Sequence, residues 1–227
     1  MNPKCAYKLK LDCFNDLRED LNNINNRLNS GESIPYVKNP KYKNYSGAYF
    51  VSNDALLTCN YNTIAKLNKV FNNSLLNVTR IHNLYPGETY PWHRDGREGL
   101  NGVYGEEWGE PTYRVISAGI SILLSDFNDD ITEYGITTGL QRDNQKFINN
   151  NHEKYEIKYN NEDDIKMIDS ISVPDTHAVL SYIGLHHKVV TTKQVPRVIA
   201  IIPFWPNIQF EEVVDYCRSN NILIERG

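Results

Sequence analysis

The feature that most constrains how this chain folds is a change of texture at residue 75. Beyond it the apolar residues come in short, β-branched runs: LLNVTRIHNLY at 75–85, YRVISAGISILLS at 113–125, DIKMID at 164–169, HAVLSYIG at 177–184, HKVVTT at 187–192 and RVIAIIPFW at 197–205. Runs of this length and composition are strand signals. Pro-Gly at 86–87, Asp-Gly at 95–96 and Pro-Asp at 174–175 supply turns between them. Repeated alternation of strands with helices, the mark of a Rossmann-type parallel sheet, is missing. The expectation is a mainly β fold with flanking helices, built as a sandwich or jelly roll.

Before residue 75 the pattern is helical. FNDLREDLNNINNRLN at 14–29 sets Phe14, Leu17, Leu21, Ile24 and Leu28 on one face of an amphipathic helix. A loop is expected from about 30 to 48. Ser52 or Asp54 then caps a second helix running to about Phe71, with Ala55, Leu56, Leu67, Val70 and Phe71 on its buried side. QFEEVVDYCRSN at 209–220 reads as a closing helix. Residues 126–165 interrupt the strands with a stretch too polar for a core and too long for an ordinary connection, either a lid or a surface excursion. The organisation expected is one domain over 1–227: helical support at 1–74, a β core at 75–207 carrying the 126–165 insertion, and a C-terminal helix at 208–227.

Composition narrows the function classes. With 40% hydrophobic and 11% aromatic residues, the chain is too rich in core formers for a disordered protein. No stretch approaches the roughly 18 apolar residues of a membrane helix, and MNPKCAYKLKLDCF offers no secretory apolar run. A formal charge of −4 gives no footprint for nucleic acid. Cys5, Cys13, Cys59 and Cys217 form no CxxC pair and lie at no zinc-site spacing from a His, so reduced thiols are expected. These features point to a soluble, cytoplasmic protein without membrane or nucleic-acid partners.

Chemistry concentrates in NLYPGETYPWHRDG at 83–96. On an extended backbone, residues two apart face the same side, so His93 and Asp95 can converge on one ion. A His from a neighbouring strand would complete two imidazoles and a carboxylate, a set that leaves three coordination positions open and suits non-haem Fe(II) oxygenases. Taken alone, the triplet is a weak signal, and a loop His beside a turn Asp before Gly96 is the plainer reading. The second informative segment is GLHHKVVTTKQVPRVIAIIPFW at 184–205. Here a His begins an apolar strand and Arg197 follows ten residues after His187 on the next one. A buried guanidinium grips a carboxylate through two parallel hydrogen bonds. The alternative is a surface charge at a strand edge, against which the apolar flank VIAIIPFW argues. His186 and His187 face opposite sides of a strand, and the spacing to Arg197 favours His187.

HRD at 93–95, HKV at 187–189 and Arg197 together resemble the Fe(II)/2-oxoglutarate-dependent dioxygenase superfamily, over about residues 77–207. The resemblance implies a double-stranded β-helix, a cupin-like jelly roll. It also implies Fe(II) held by His93, Asp95 and His187, with 2-oxoglutarate gripped by Arg197. The cosubstrates are then 2-oxoglutarate and O2, with ascorbate as a candidate reductant, and succinate and CO2 are released. Pro86-Gly87, Arg114 and His187-Lys188-Val189 are similar to the aspartyl/asparaginyl β-hydroxylase-like branch, which implies a second 2-oxoglutarate contact from Arg114; an ordinary polar strand start is the alternative. An intact Asp95 favours hydroxylation over halogenation.

Tyr85, Trp92, Arg94 and Tyr113 are the candidate substrate contacts, since they cluster around the first motif, although aromatics there serve equally as core. The leading expectation is a hydroxylase of a free amino acid or another small polar metabolite. A protein side-chain hydroxylase, a non-catalytic jelly-roll binding module and an oxidative nucleic-acid demethylase are the alternatives. The acidic balance and the lack of a second Arg in the last strand weigh against the demethylase.

Overall fold

The computed structural model describes residues 4–38, 48–84, 90–93, 116–126, 130–137, 165–190, 196–205 and 207–224. In chain order the elements are β1 (Ala6–Leu9), α1 (Phe14–Asn29), β2 (Val37–Lys38), β3 (Ala48–Ser52), α2 (Asn53–Thr58), α3 (Thr63–Val70), β4 (Val78–Leu84), β5 (Tyr90–His93), β6 (Gly119–Leu123), β7 (Ile131–Thr137), β8 (Ile165–Ile171), β9 (Ala178–Ser181), β10 (His186–Val190), β11 (Arg197–Pro203), α4 (Phe210–Ser219) and β12 (Leu223–Ile224).

The strands form two antiparallel sheets. The larger runs β12-β1-β9-β6-β11-β4-β3-β2 and the smaller β5-β10-β7-β8. Counting β4 to β11 as strands one to eight, the large sheet holds them in the order 6-3-8-1 and the small sheet in the order 2-7-4-5. That winding, with the chain passing back and forth between sheets, is a double-stranded β-helix, so the fold expected from the strand pattern is the fold observed.

The central strands of the large sheet divide their residues between two interiors. On β11, Val198, Ala200 and Ile202 pack with the helices, whereas Arg197, Ile199 and Ile201 line a cavity on the other side. Likewise Ile120 and Ile122 of β6 join the helix-side core while Ser121 faces the cavity. The helix layer is built from the apolar stripe of α1 (Phe14, Leu17, Leu21, Ile24, Leu28) together with Leu56, Ile64, Leu67, Phe210 and Val213. The first helix spans the residues its periodicity predicts.

The other elements depart from expectation in four places. The second helix is two, α2 and α3. Asn60 adopts φ 63; its N–H reaches Leu57 O at 2.9 Å and that of Tyr61 reaches Leu56 O at 2.8 Å, a left-handed helix stop. The Ser52 hydroxyl does cap α2, accepting from Ala55 N at 3.2 Å, but Val70 is 36% exposed rather than buried. The helical N-terminal part also contributes β1, β2 and β3 to the large sheet. The polar stretch 126–165 contains β7, an inner strand of the small sheet; its residues 138–164 lie outside the described ones. Finally, α4 is followed by β12, which pairs with β1 at the sheet edge.

Candidate metal centre and the cavity between the sheets

The small sheet brings the two sequence motifs together. Strand β10 lies between β5 and β7, and its register sets His187 opposite His93 on one side and opposite Tyr134 on the other. Directly opposite positions in an antiparallel pair share one face of the sheet, which is the relation two ligands of one ion require. Along β10, exposure alternates: His187 and Val189 are buried, while His186, Lys188 and Val190 are half-buried. His187 and Val189 line the cavity, and His186 is not among its lining residues.

The His187 ring is held by its own turn. Nδ1 lies 2.9 Å from the carbonyl oxygen of Leu185. A carbonyl only accepts, so Nδ1 carries the proton and Nε2 the lone pair, the tautomer that orients an imidazole toward a metal. Tyr134 packs beside it with ring centroids 6.1 Å apart.

The cavity occupies about 510 Å³ between the sheets, counted out to its open mouth. Its polar lining comes from His82, Ser121, Thr132, Tyr134, Ser181 and Arg197, set among Leu84, Ile199 and Ile201. The Ser121 and Ser181 hydroxyls pair with each other at 3.0 Å. Arg197 is 2% exposed. Its Nη2 donates to Thr132 Oγ1 at 3.3 Å, and its Nε stands 4.0 Å from Asp130 Oδ2. That leaves Nε buried without a hydrogen-bond acceptor among the described residues. Burial lowers the guanidinium to about 10, opposed by the Asp130 carboxylate, so it is cationic at neutral pH. A buried guanidinium with unused donors is a site for an anion with several acceptors, a carboxylate above all.

Asp130, Thr132 and Tyr134 are residues that sequence reasoning missed. Thr132 and Tyr134 lie two apart on β7 and line the cavity with Arg197 and His187, while Asp130, just before the strand, reaches Arg197. The available signal was the alternation in DITEYG, read there as polar loop.

Trp92, a candidate substrate contact, is 4% exposed and is not among the cavity-lining residues. It packs over Gly135, where an added Cβ would come within 3.0 Å of the indole. Lys188 Nζ lies 5.0 Å from the Trp92 ring centroid and 3.3 Å from Glu133 Oε2. Asp95, Arg114, Tyr85, Arg94 and Tyr113 lie outside the described residues, and of His93 the strand position alone is described.

No family model matches the sequence, and no curated protein matches it. Solved structures do resemble the fold. AviO1 from Streptomyces viridochromogenes Tue57 is 14% identical, over 91% of this chain and 92% of that one, at a TM-score of 0.46. A prolyl-4-hydroxylase from Pseudomonas putida is 10% identical, over 88% and 92%, at 0.43. The non-haem alpha-ketoglutarate-dependent epimerase SnoN from nogalamycin biosynthesis is 12% identical, over 88% and 78%, at 0.49. At such identities the likeness is one of fold, and the chemistry of the site rests on the residues of this chain.

Proposed function

We propose that this chain is a non-haem Fe(II)- and 2-oxoglutarate-dependent oxygenase, one catalytic domain that hydroxylates an unactivated C–H bond of a small polar metabolite, with free amino acids the first class to consider. The observation that carries the reading is the pairing of His187 with His93 beside a cavity in which Arg197 is buried with donors to spare. The donor set fits the groups: His93, Asp95 and His187 would hold the iron, and Arg197 would hold the far carboxylate of 2-oxoglutarate, with Arg114 as a second contact. When bound, iron, 2-oxoglutarate and O2 supply an oxidant strong enough for an unactivated C–H bond, with release of succinate and CO2.

The chain's own residues do the rest. The Leu185 carbonyl fixes the tautomer of His187. Leu84, Ile199 and Ile201 give the cavity apolar walls that limit water around the reacting groups. A concave site with apolar walls and a few convergent polar groups suits a small molecule. The similarity of Pro86-Gly87, Arg114 and His187-Lys188-Val189 to the aspartyl/asparaginyl hydroxylase branch supports an amino-acid-like substrate. No described helix is long and apolar enough to cross a membrane, and a cytoplasmic enzyme fits this reading.

Two experiments test it. Anaerobic titration with Fe(II) and 2-oxoglutarate should give a weak visible charge-transfer band, kept by His186→Ala and lost in His187→Ala. A wild-type protein without the band ends the proposal. Succinate release, screened over free amino acids and small metabolites, then identifies the substrate class.

A further inference from the structure

We propose that Asp130 is a positioning residue that competes with 2-oxoglutarate for Arg197, so that the chain carries its own counter-anion next to the cosubstrate site; this rests on the functional reading above. The geometry is that of a partner held back. Asp130 is 1% exposed and Arg197 2% exposed, so both sit out of water, yet Nε and Oδ2 are 4.0 Å apart. A committed guanidinium–carboxylate pair closes to about 2.7–2.9 Å with two parallel bonds. Asp130 therefore compensates the charge of Arg197 without filling its donors, and among the described residues Nη2 is occupied only by the Thr132 hydroxyl at 3.3 Å.

Two consequences follow from Coulomb's law at short range. In the unliganded protein, the Asp130 carboxylate offsets the cost of a buried cation. When a ligand carboxylate reaches the same guanidinium, it meets a second anion a few ångströms away, and its affinity is reduced. Asp130, just before β7, and Thr132 and Tyr134 on it are spaced two apart, so one stretch of backbone fixes the anion beside Arg197 together with the hydroxyl and the phenol that line the cavity.

Calorimetric titration of anaerobic Fe(II)-loaded protein with 2-oxoglutarate, paired with melting curves, separates this from a purely structural role. The neutral variants Asp130→Asn and Asp130→Ser should melt lower than wild type without ligand, yet bind 2-oxoglutarate about a hundredfold more tightly, the order for two like charges about 6 Å apart around one guanidinium at an effective dielectric of about 20. Asp130→Glu keeps the charge and should show no such gain. Loss of thermal stability with an unchanged or weaker affinity in the neutral variants overturns the proposal. The Asn variant keeps the shape of the side chain and the Ser variant removes it, so a failure of one to fold leaves the other to decide. Wild-type protein that binds no 2-oxoglutarate refutes the functional reading itself, a result distinct from bound ligand with unaltered affinity in the variants.

Discussion

Arg197 makes a demand that few other residues in the chain make: a cation 2% exposed on a strand whose neighbours are apolar. Its fork shape and its charge can be separated. Arg197→Lys retains a cation but loses the planar pair of donors, so 2-oxoglutarate affinity should fall by about tenfold or more, the order expected for a charge-assisted hydrogen bond. Iron binding should remain largely intact. Calorimetry with and without metal measures both, and an unchanged cosubstrate affinity would remove Arg197 from the site. The thiols offer a second residue-scale test, because burial pushes the Cys217 thiol up to about 12 and also raises Cys13. Cys5 and Cys217 are buried, whereas Cys13 and Cys59 are half-buried. With a thiol reagent at mildly alkaline pH, the half-buried Cys13 and Cys59 should react in the folded protein, Cys13 slowly because its raised pKa lowers its thiolate fraction. Cys5 and Cys217 should react only after denaturation. Peptide mapping of labelled protein reads the order, and early labelling of Cys217 contradicts the packing.

At the scale of elements, β7 is the instructive case. Gly135 lets the Trp92 indole lie against the strand, and a methyl group there would meet the ring at 3.0 Å and overlap the side chain of Ile165. Gly135→Ala should therefore cost about 1–3 kcal/mol, the usual penalty for overpacking. Urea denaturation measures the loss, and an unaltered midpoint would mean that the indole has room to move. The same strand shows why part of the molecule was illegible in the sequence. Strand detection relies on apolar residues facing inward, but the inward face of β7 carries Thr132 and Tyr134, with Asp130 just before it, because that face lines a ligand cavity. Ile136, two residues beyond Tyr134, is exposed because a register irregularity between Tyr134 and Gly135 breaks the alternation. A strand that serves the site thus inverts the pattern that reveals strands. The buried strands β6, β9 and β11 were legible because their residues are apolar on both faces, as in GISIL and AVLS. The break between α2 and α3 was hidden for a different reason. Apolar spacing continues across it, and the stop is a backbone event at Asn60, a residue type common in this chain. On the site, the spacing of His93, His187 and Arg197 foresaw two strand positions that the register sets opposite each other; no local pattern tied Asp130 to Arg197, 67 residues away in the sequence.

For the whole molecule, the question is whether the helices merely cover the β-helix or share its stability. The apolar cluster on the helix side includes Leu17, Leu21 and Ile24 of α1 together with Ile120, Ile122, Ala200 and Ile202 from the large sheet, so no boundary separates a helical core from a sheet core. Hydrogen bonds reinforce the contact at one end. Arg18 Nε donates to Leu123 O at 2.9 Å, its Nη2 to Ser125 O at 3.0 Å, and Asn22 Nδ2 to Leu124 O at 3.1 Å. Those carbonyls lie just where β6 ends beside β11, next to the strand start that carries Arg197; Leu124 N donates to Val198 O at 2.8 Å. Damage to α1 should consequently be felt in the β-helix. Leu21 is fully buried, and Leu21→Ala should cost about 2–5 kcal/mol through lost burial and the cavity left behind. Unfolding should nevertheless remain a single transition, shifted as a whole, with far-ultraviolet circular dichroism and tryptophan fluorescence superimposing. Fluorescence is the informative probe once Trp108 and Trp205 are replaced by Phe, because the remaining Trp92 lies in the small sheet on the far side of the cavity from α1. If the helical signal were lost at lower denaturant than the Trp signal, the helices would be a separable layer, and the clamp at the end of β6 would contribute nothing to holding Arg197 in place.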